Sequence, residues 1–147
     1  MIIQLLPEQI PGFWPDIKES IQAAAPPIFH ETPEKMNNIL MSMLIGKMQV
    51  WVLANQEEEA TIVKSVIVTS IVSDSCSNTR MFLFYSGYSA NPVSQKLWAE
   101  SIDEFRKIAK GLDCDLMGFY SELPYMTEQA RKTGASIENF AFWKLED

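Results

Sequence analysis

The chain has 147 residues, 47% of them hydrophobic, and its 19 acidic and 12 basic side chains give a formal net charge of −7. This length and hydrophobic content predict one folded domain over residues 1–147 and exclude a disordered chain. The acidic balance and the scattered lysines and arginines argue against a nucleic-acid-binding protein, which needs clustered positive charge.

Neither a targeting segment nor a metal site is indicated. The first residues, MIIQLLPEQ, lack a basic region, and no apolar run approaches the ~18 residues that a membrane span needs. We therefore predict a cytoplasmic protein that does not bind a membrane. The two cysteines and the single histidine lack the spacing of metal ligands, so we expect no metal. These residues are Cys76, Cys114 and His30. A reducing cytosol favours two free thiols, although a disulfide is compatible with the sequence.

A strand and two helices are predicted in the first third of the chain. The strand covers Met1 to Leu6 and stops at Pro7, and the periodicity of Phe13 to Ala24 indicates an amphipathic helix. Thr32 or Pro33 begins a second helix. Its apolar stripe is rich in methionine and fits either core packing or an adaptable binding face: Met36, Ile39, Leu40, Met43, Leu44 and Met48.

Three strands in series follow. These segments are apolar and rich in β-branched or aromatic residues, and the polar turns NQEEE and SDSCSN separate them. They cover Gln49 to Ala54, Ala60 to Val72 and Thr79 to Tyr88. Short turns between consecutive strands predict an antiparallel meander.

The second half alternates helices and strands. Ser94 to Leu112 predicts a helix whose apolar face, including Trp98 and Phe105, is expected to cover the sheet. A strand at Asp115 to Ser121 precedes a helix that begins at Pro124. Gly134 stands where a left-handed helix cap is expected, and Phe140 to Leu145 (FAFWKL) predicts a closing aromatic strand.

This order, β-α-α-β-β-β-α-β-α-β, with the turn Lys132-Thr133-Gly134 before the last strand, resembles the GNAT superfamily of acyl-CoA N-acyltransferases over essentially the whole chain. The resemblance implies an α/β (α+β) fold with a mixed, mainly antiparallel sheet and helices on both faces. It also implies that the fourth and fifth strands run parallel and splay apart to admit acetyl-CoA. Homodimers through the last strands are a further implication.

The family's pyrophosphate loop has the form Q/R-x-x-G-x-G/A, and this chain departs from it. Ser89, Pro92 and Ser94 occupy the three positions, and Pro92 has no N–H to donate. A helix N-terminus remains, where backbone N–H groups favour anions. The resemblance therefore implies a cofactor site with weak or absent acetyl-CoA binding, formed by Tyr88, Val93, Ser94, Gln95 and Lys96.

Candidate catalytic residues follow from the same comparison. The thiolate acid of many GNAT enzymes is a tyrosine four residues before the turn glycine, and that position here is Ala130. Tyr125 lies one helical turn and a residue earlier and does not simply replace it, but it is a candidate if its side chain faces the cleft. Glu122, at the end of the fifth strand, is preferred over Glu31 as the base. All three residues also have a simpler interpretation. Tyr125 is then a packed or partly exposed side chain, and Glu122 and Glu31 are surface carboxylates.

Two functions remain open from the sequence. One is a divergent acyl-CoA-dependent N-acyltransferase acting on an unknown small-molecule or peptide amine, which an acidic protein would attract. The other is a catalytically inactive GNAT-fold binding or structural protein, for example a prophage-type accessory protein. The missing glycines and tyrosine favour the second. Some acyltransferases of the superfamily tolerate such losses, however, so the resemblance keeps the acyltransferase as the first prediction, and fold alone does not decide.

Overall fold

A computed structural model describes residues 1–26, 29, 31–57, 60–89 and 91–145. One five-stranded sheet runs through the molecule in the spatial order β1-β2-β3-β4-β5. The first four strands are antiparallel, and β5 is parallel to β4. The strands are β1 Ile2–Gln4, β2 Met48–Glu57, β3 Ala60–Asp74, β4 Thr79–Tyr88 and β5 Leu116–Phe119.

Four helices flank the sheet: α1 Ile10–Ala24, α2 Pro33–Leu44, α3 Gln95–Gly111 and α4 Pro124–Lys132. Local capping explains where two of them begin. The hydroxyl of Thr32 accepts a hydrogen bond from the Lys35 N–H at 3.2 Å, and that of Ser94 accepts one from the Leu97 N–H at 3.1 Å. α1 begins three residues earlier than predicted because a short 3₁₀ turn at Pro7–Gln9 leads directly into it.

Alternating side chains along the strands build two cores, one on each face of the sheet. On one face, α1 and α2 bury Ile17 and Met43 against Val50 and Val68. On the other face, Phe105 of α3 packs against Trp51 and Phe82, with the Trp51 and Phe105 ring centroids 5.6 Å apart. The expected fold class, a mixed and mainly antiparallel sheet with helices on both faces, is thus confirmed.

The predicted closing strand is wrong, since no strand forms at Phe140 to Leu145. The segment instead attaches to the body through an aromatic contact, because the Phe140 ring lies 5.3 Å from that of Tyr120. Alternating aromatic residues indicate a strand only where a neighbouring edge accepts it, and β5 offers an edge of just four residues.

The predicted left-handed cap of α4 is confirmed. Gly134 has a φ of +96°, its N–H donates to the Arg131 carbonyl at 3.1 Å, and the Ala135 N–H donates to the Ala130 carbonyl at 3.1 Å. These two bonds form a Schellman motif, which satisfies carbonyls that the helix end would otherwise leave unpaired.

The carboxyl-terminal segment leaves large apolar side chains in solvent. Trp143 is 83% exposed and Leu145 is 95% exposed, next to the edge strand β5. Large exposed apolar patches mark interaction surfaces, so we expect a second copy of the chain to cover this segment.

Sedimentation velocity should show a dimer that Trp143→Glu converts to monomer. Met41→Glu, at an exposed apolar site on α2, is the matched control. A monomeric parent protein would contradict this expectation.

Candidate functional site

The candidate site is a cleft that opens where β4 and β5 part. Their pairing ends at Phe84 and Phe119, although β4 continues to Tyr88. The resulting cleft has a volume of about 1150 Å³. Ile21 of α1 lines one part of it and Phe105 of α3 another, so the cleft reaches both helical layers. The splay expected between the fourth and fifth strands is present.

A β-bulge on β4 sets the direction of the side chains at this point. Thr69 of β3 pairs with Phe84 and Val68 pairs with Ser86, so Tyr85 is the extra residue. The bulge turns two consecutive side chains toward the α1 layer. The Tyr85 ring meets that of Phe29 edge-on at 6.0 Å, and the Ser86 hydroxyl lies 3.5 Å from that of Ser20.

Serine hydroxyls form one hydrogen-bonded pair on each face of the sheet beside the cleft. Ser65 and Ser89 are joined by a hydrogen bond between their side chains. Ser20, which is fully buried beside Ser86, donates to the Val66 carbonyl at 3.4 Å. These bonds satisfy the hydroxyls, and Ser65, Ser86 and Ser89 bring polar groups to an otherwise aromatic cleft.

Tyr85 is a half-buried titratable group on the α1 side of the cleft. Burial raises the pKa of its phenol above the ordinary value for tyrosine. The phenol therefore stays protonated at neutral pH and is available as a hydrogen-bond donor. Its ring packs against the α1 and α2 core and also lines the cleft.

The start of α3 forms another margin of the cleft. Tyr88 and Val93 line the cleft, as does Pro92, whereas Ser94, Gln95 and Lys96 lie outside its described lining. Ser94 already satisfies the Leu97 N–H through its hydroxyl and the Trp98 N–H through its carbonyl. Lys96 extends into solvent with its ammonium 4.0 Å from the Glu100 carboxylate. The structure therefore brings two of the five predicted cofactor residues to the cleft.

The two predicted catalytic residues both lie at the β5–α4 margin. Glu122 and Tyr125 line the cleft with exposed side chains. Ala130, the position of the family's acid, is buried in the body and offers no proton. Glu31 also lines the cleft, near α1, and accepts a hydrogen bond from the Gln22 amide at 2.7 Å.

Two lining residues escaped the sequence analysis. Trp98 was expected to cover the sheet with Phe105, but it stands half-buried at the cleft wall. Its indole N–H is buried without a hydrogen-bond partner among the described residues. Gln129, adjacent to Ala130, is 9% exposed, and its Oε1 likewise lacks a partner there. No sequence signal separates Gln129 from the other polar residues of α4.

Charge is distributed unevenly over the cleft. Among the described residues that line it, Glu31 and Glu122 are the charged ones, with no lysine or arginine. Nine of the described lining residues are aromatic. The cleft is therefore acidic and aromatic, and it offers anions little beyond backbone and hydroxyl groups.

No protein-family model and no curated protein matches the sequence. Solved structures do match it. A probable acetyltransferase is 13% identical with a TM-score of 0.71, covering 100% of this chain and 97% of its own. An aminoglycoside acetyltransferase from an uncultured soil metagenomic sample, in complex with sisomicin, is 13% identical with a TM-score of 0.69, covering 100% and 96%. Aminoglycoside N-acetyltransferase AAC(6′)-Iy, in complex with CoA, is 12% identical with a TM-score of 0.65, covering 100% of both chains.

The chain has the GNAT superfamily fold. Its structural neighbours are acetyltransferases of the GNAT type. Sequence identities this low show a shared fold, and any chemistry depends on this chain's own residues.

Other expectations concern cysteines, metals and membranes. Cys76 is exposed, Cys114 is half-buried, and both thiols are free. Within the described ranges no group of three or more potential metal ligands occurs, and no helix is long and apolar enough to cross a membrane. His30 lies outside the described residues.

The raised pKa of Tyr85 predicts a distinct alkaline titration. Ultraviolet absorbance should show a tyrosine that ionises above ~10, the ordinary value. Tyr85→Phe should remove that component. The pKa of Tyr85 is higher in the folded than in the unfolded state. The contribution of protonated Tyr85 to the free energy of unfolding is therefore present below pH ~10 and is lost as pH rises through the folded-state pKa. A high-pH component that persists in Tyr85→Phe would assign it to another residue.

Proposed function

We propose that this protein is a divergent acyl-CoA-dependent N-acyltransferase with weak affinity for acetyl-CoA. The supporting observation is the cleft between β4 and β5, which extends from the α3 start to the α1 layer in a fold shared with acetyltransferases. One structural neighbour was solved with CoA and another with sisomicin, an aminoglycoside.

The cleft fits the two ends of acyl-CoA unequally. Its volume and apolar walls suit an extended acyl-carrying arm. The phosphate end has fewer donors, because Pro92 lacks an N–H and Lys96 pairs with Glu100. Each missing charge-assisted hydrogen bond costs about 1.5–3 kcal/mol. We therefore expect a dissociation constant for acetyl-CoA near or above ~1 mM.

Proton transfer in this proposal uses the cleft margin. A bound acyl-CoA would supply the thioester. As the C–N bond forms and the C–S bond breaks, Glu122 would take the proton of the attacking amine and Tyr125 would give a proton to the leaving sulfur. Both residues line the cleft at the same end of β5. The half-buried phenol of Tyr85, which stays protonated, would be available as a hydrogen-bond donor on the α1 side.

Cofactor affinity tests the first part of the proposal. Calorimetry with acetyl-CoA and with desulfo-CoA should give weak binding, and acetyl-CoA near its dissociation constant should stabilise the fold by only ~0.4 kcal/mol. Pro92→Gly restores a donor and should tighten binding about tenfold. Pro7→Gly, in the turn before α1, is the matched control. Low-micromolar binding by the parent would refute the weak-affinity part.

Acyl transfer tests the catalytic part. With a panel of amines at high acetyl-CoA concentration, Glu122→Gln should lower the rate of CoA release by about 100-fold or more, as expected for loss of a general base. Glu128→Gln, at an exposed site on α4 that pairs with Arg131, should leave that rate unchanged. Equal rates for the two variants would remove Glu122 from the mechanism.

A non-catalytic GNAT-fold binding protein is the second candidate. It is favoured by the buried Ala130 at the acid position and by the absence of basic residues from the described lining. It predicts no acetyl-CoA-dependent transfer to any amine while the cleft still binds a ligand of its own. The transfer assay therefore separates the two candidates.

A further inference from the structure

The α1 side of the cleft combines aromatic rings with a positioned carboxylate. Phe29 and Tyr85 meet edge-on at 6.0 Å, and both line the cleft. Tyr88 lines it as well and lies two residues beyond Ser86 on β4, so both side chains are expected on the same face. Glu31 follows Phe29 closely and is held by the Gln22 amide at 2.7 Å.

The positioning of Glu31 favours a cation in this part of the cleft. The Gln22 amide satisfies one oxygen of Glu31, and no basic side chain of the described lining competes for the carboxylate. Aromatic faces attract a cation through the ring quadrupole, and the attraction strengthens away from water. An anion would meet two carboxylates and no positive charge.

The opposite wall supplies an acceptor that is still unpaired. Gln129 lines the cleft, is 9% exposed, and its Oε1 has no hydrogen-bond partner within the described part of the chain. Buried acceptors without partners are rare in folded proteins, because each carries the full cost of lost hydration. An N–H donor on a ligand would relieve that cost after a small rotation of the side chain.

The number of charges limits the ligand further. The lining has two carboxylates, which can pair with one ammonium group or at most two. Its nine aromatic side chains leave mainly apolar surface for the rest of the ligand. A polyammonium compound would leave further charges against rings and hydroxyls. An apolar body bearing one ammonium matches the lining.

We infer that the α1 side of the cleft binds a monoammonium compound with an aromatic or apolar body, held by Glu31 and the rings of Phe29, Tyr85 and Tyr88. This deepens the proposed function, because such a compound would be the acyl acceptor. Binding itself requires no acetyl-CoA, so the inference is testable without the cofactor.

Three probes separate charge from apolar contact in calorimetric titrations of the parent protein without acetyl-CoA. 2-Phenylethylamine carries both features, 2-phenylethanol is its neutral analogue, and spermidine carries charge without a ring. 2-Phenylethylamine should bind at least about tenfold more tightly than either of the others, because it alone combines a cation for Glu31 with an apolar ring for the half-buried aromatic side chains.

Two variants assign the binding to this part of the cleft. Glu31→Gln and Tyr88→Leu should each weaken 2-phenylethylamine binding about fivefold or more. Glu34→Gln, an exposed carboxylate in the first turn of α2 outside the described lining, is the matched control for Glu31. Thermal melting of each variant confirms that the fold is intact.

Each outcome decides the inference. Equal binding of 2-phenylethanol, stronger binding of spermidine, no binding of 2-phenylethylamine, or affinities unchanged in Glu31→Gln would overturn it. Acetyl transfer to spermidine alone would overturn it and leave the proposed function standing. Selective binding of 2-phenylethylamine without acetyl transfer would support it and refute the enzymatic proposal.

Discussion

The parting of β4 from β5 is the constraint on which the rest of the site depends. β5 pairs over four residues, after which the chain turns and begins α4 at Pro124, whose ring suits a first helical turn. β4 continues alongside β3 to Tyr88. The longer strand therefore has no β5 partner over its last residues, and both helical layers reach the gap. The bulge at Tyr85 then directs two consecutive side chains to the α1 layer.

The far wall of the gap is held in place by contacts between α3 and α4. The Arg106 guanidinium of α3 pairs with Asp103 at 2.9 Å and also donates to the Thr133 carbonyl at the end of α4. A cation at a helix C-terminus is favourable because carbonyl dipoles converge there. Gly134 completes this helix end in a conformation that a side chain would strain. Trp98 and Gln129, which line the cleft, lie on these two helices.

Local chemistry made much of the fold predictable. Thr32, Ser94, Pro124 and Gly134 each act on the few residues beside them, so the helix limits follow from sequence. The meander was predictable for the same reason, since short turns join β-branched runs. Phe140 to Leu145 has an equally clear pattern, yet strand formation there depends on a partner edge that the sequence does not encode locally.

The site was less predictable because it depends on which distant side chains converge. Glu122 and Tyr125 were reached through a family pattern, and both line the cleft. Trp98 has the spacing of a core residue, and only the position of α3 over the sheet shows that Phe105 takes that role. Gln129 is one of several polar residues on α4, and burial alone distinguishes it.

A single property of the described lining, the lack of positive charge, affects the two ends of the cleft in opposite ways. In the proposed binding of acyl-CoA, phosphate groups at the α3 start would have few partners, whereas at the α1 layer no basic side chain of the described lining would compete with a cation for Glu31. An enzyme built this way would hold its acceptor more firmly than its cofactor, the reverse of what a glycine-rich phosphate loop provides. The same imbalance suits a protein that keeps the acceptor end for binding alone. Whether the protein is an enzyme therefore depends on whether Glu122 and Tyr125 at the cleft margin transfer protons, because the cleft suits catalysis and binding without catalysis equally.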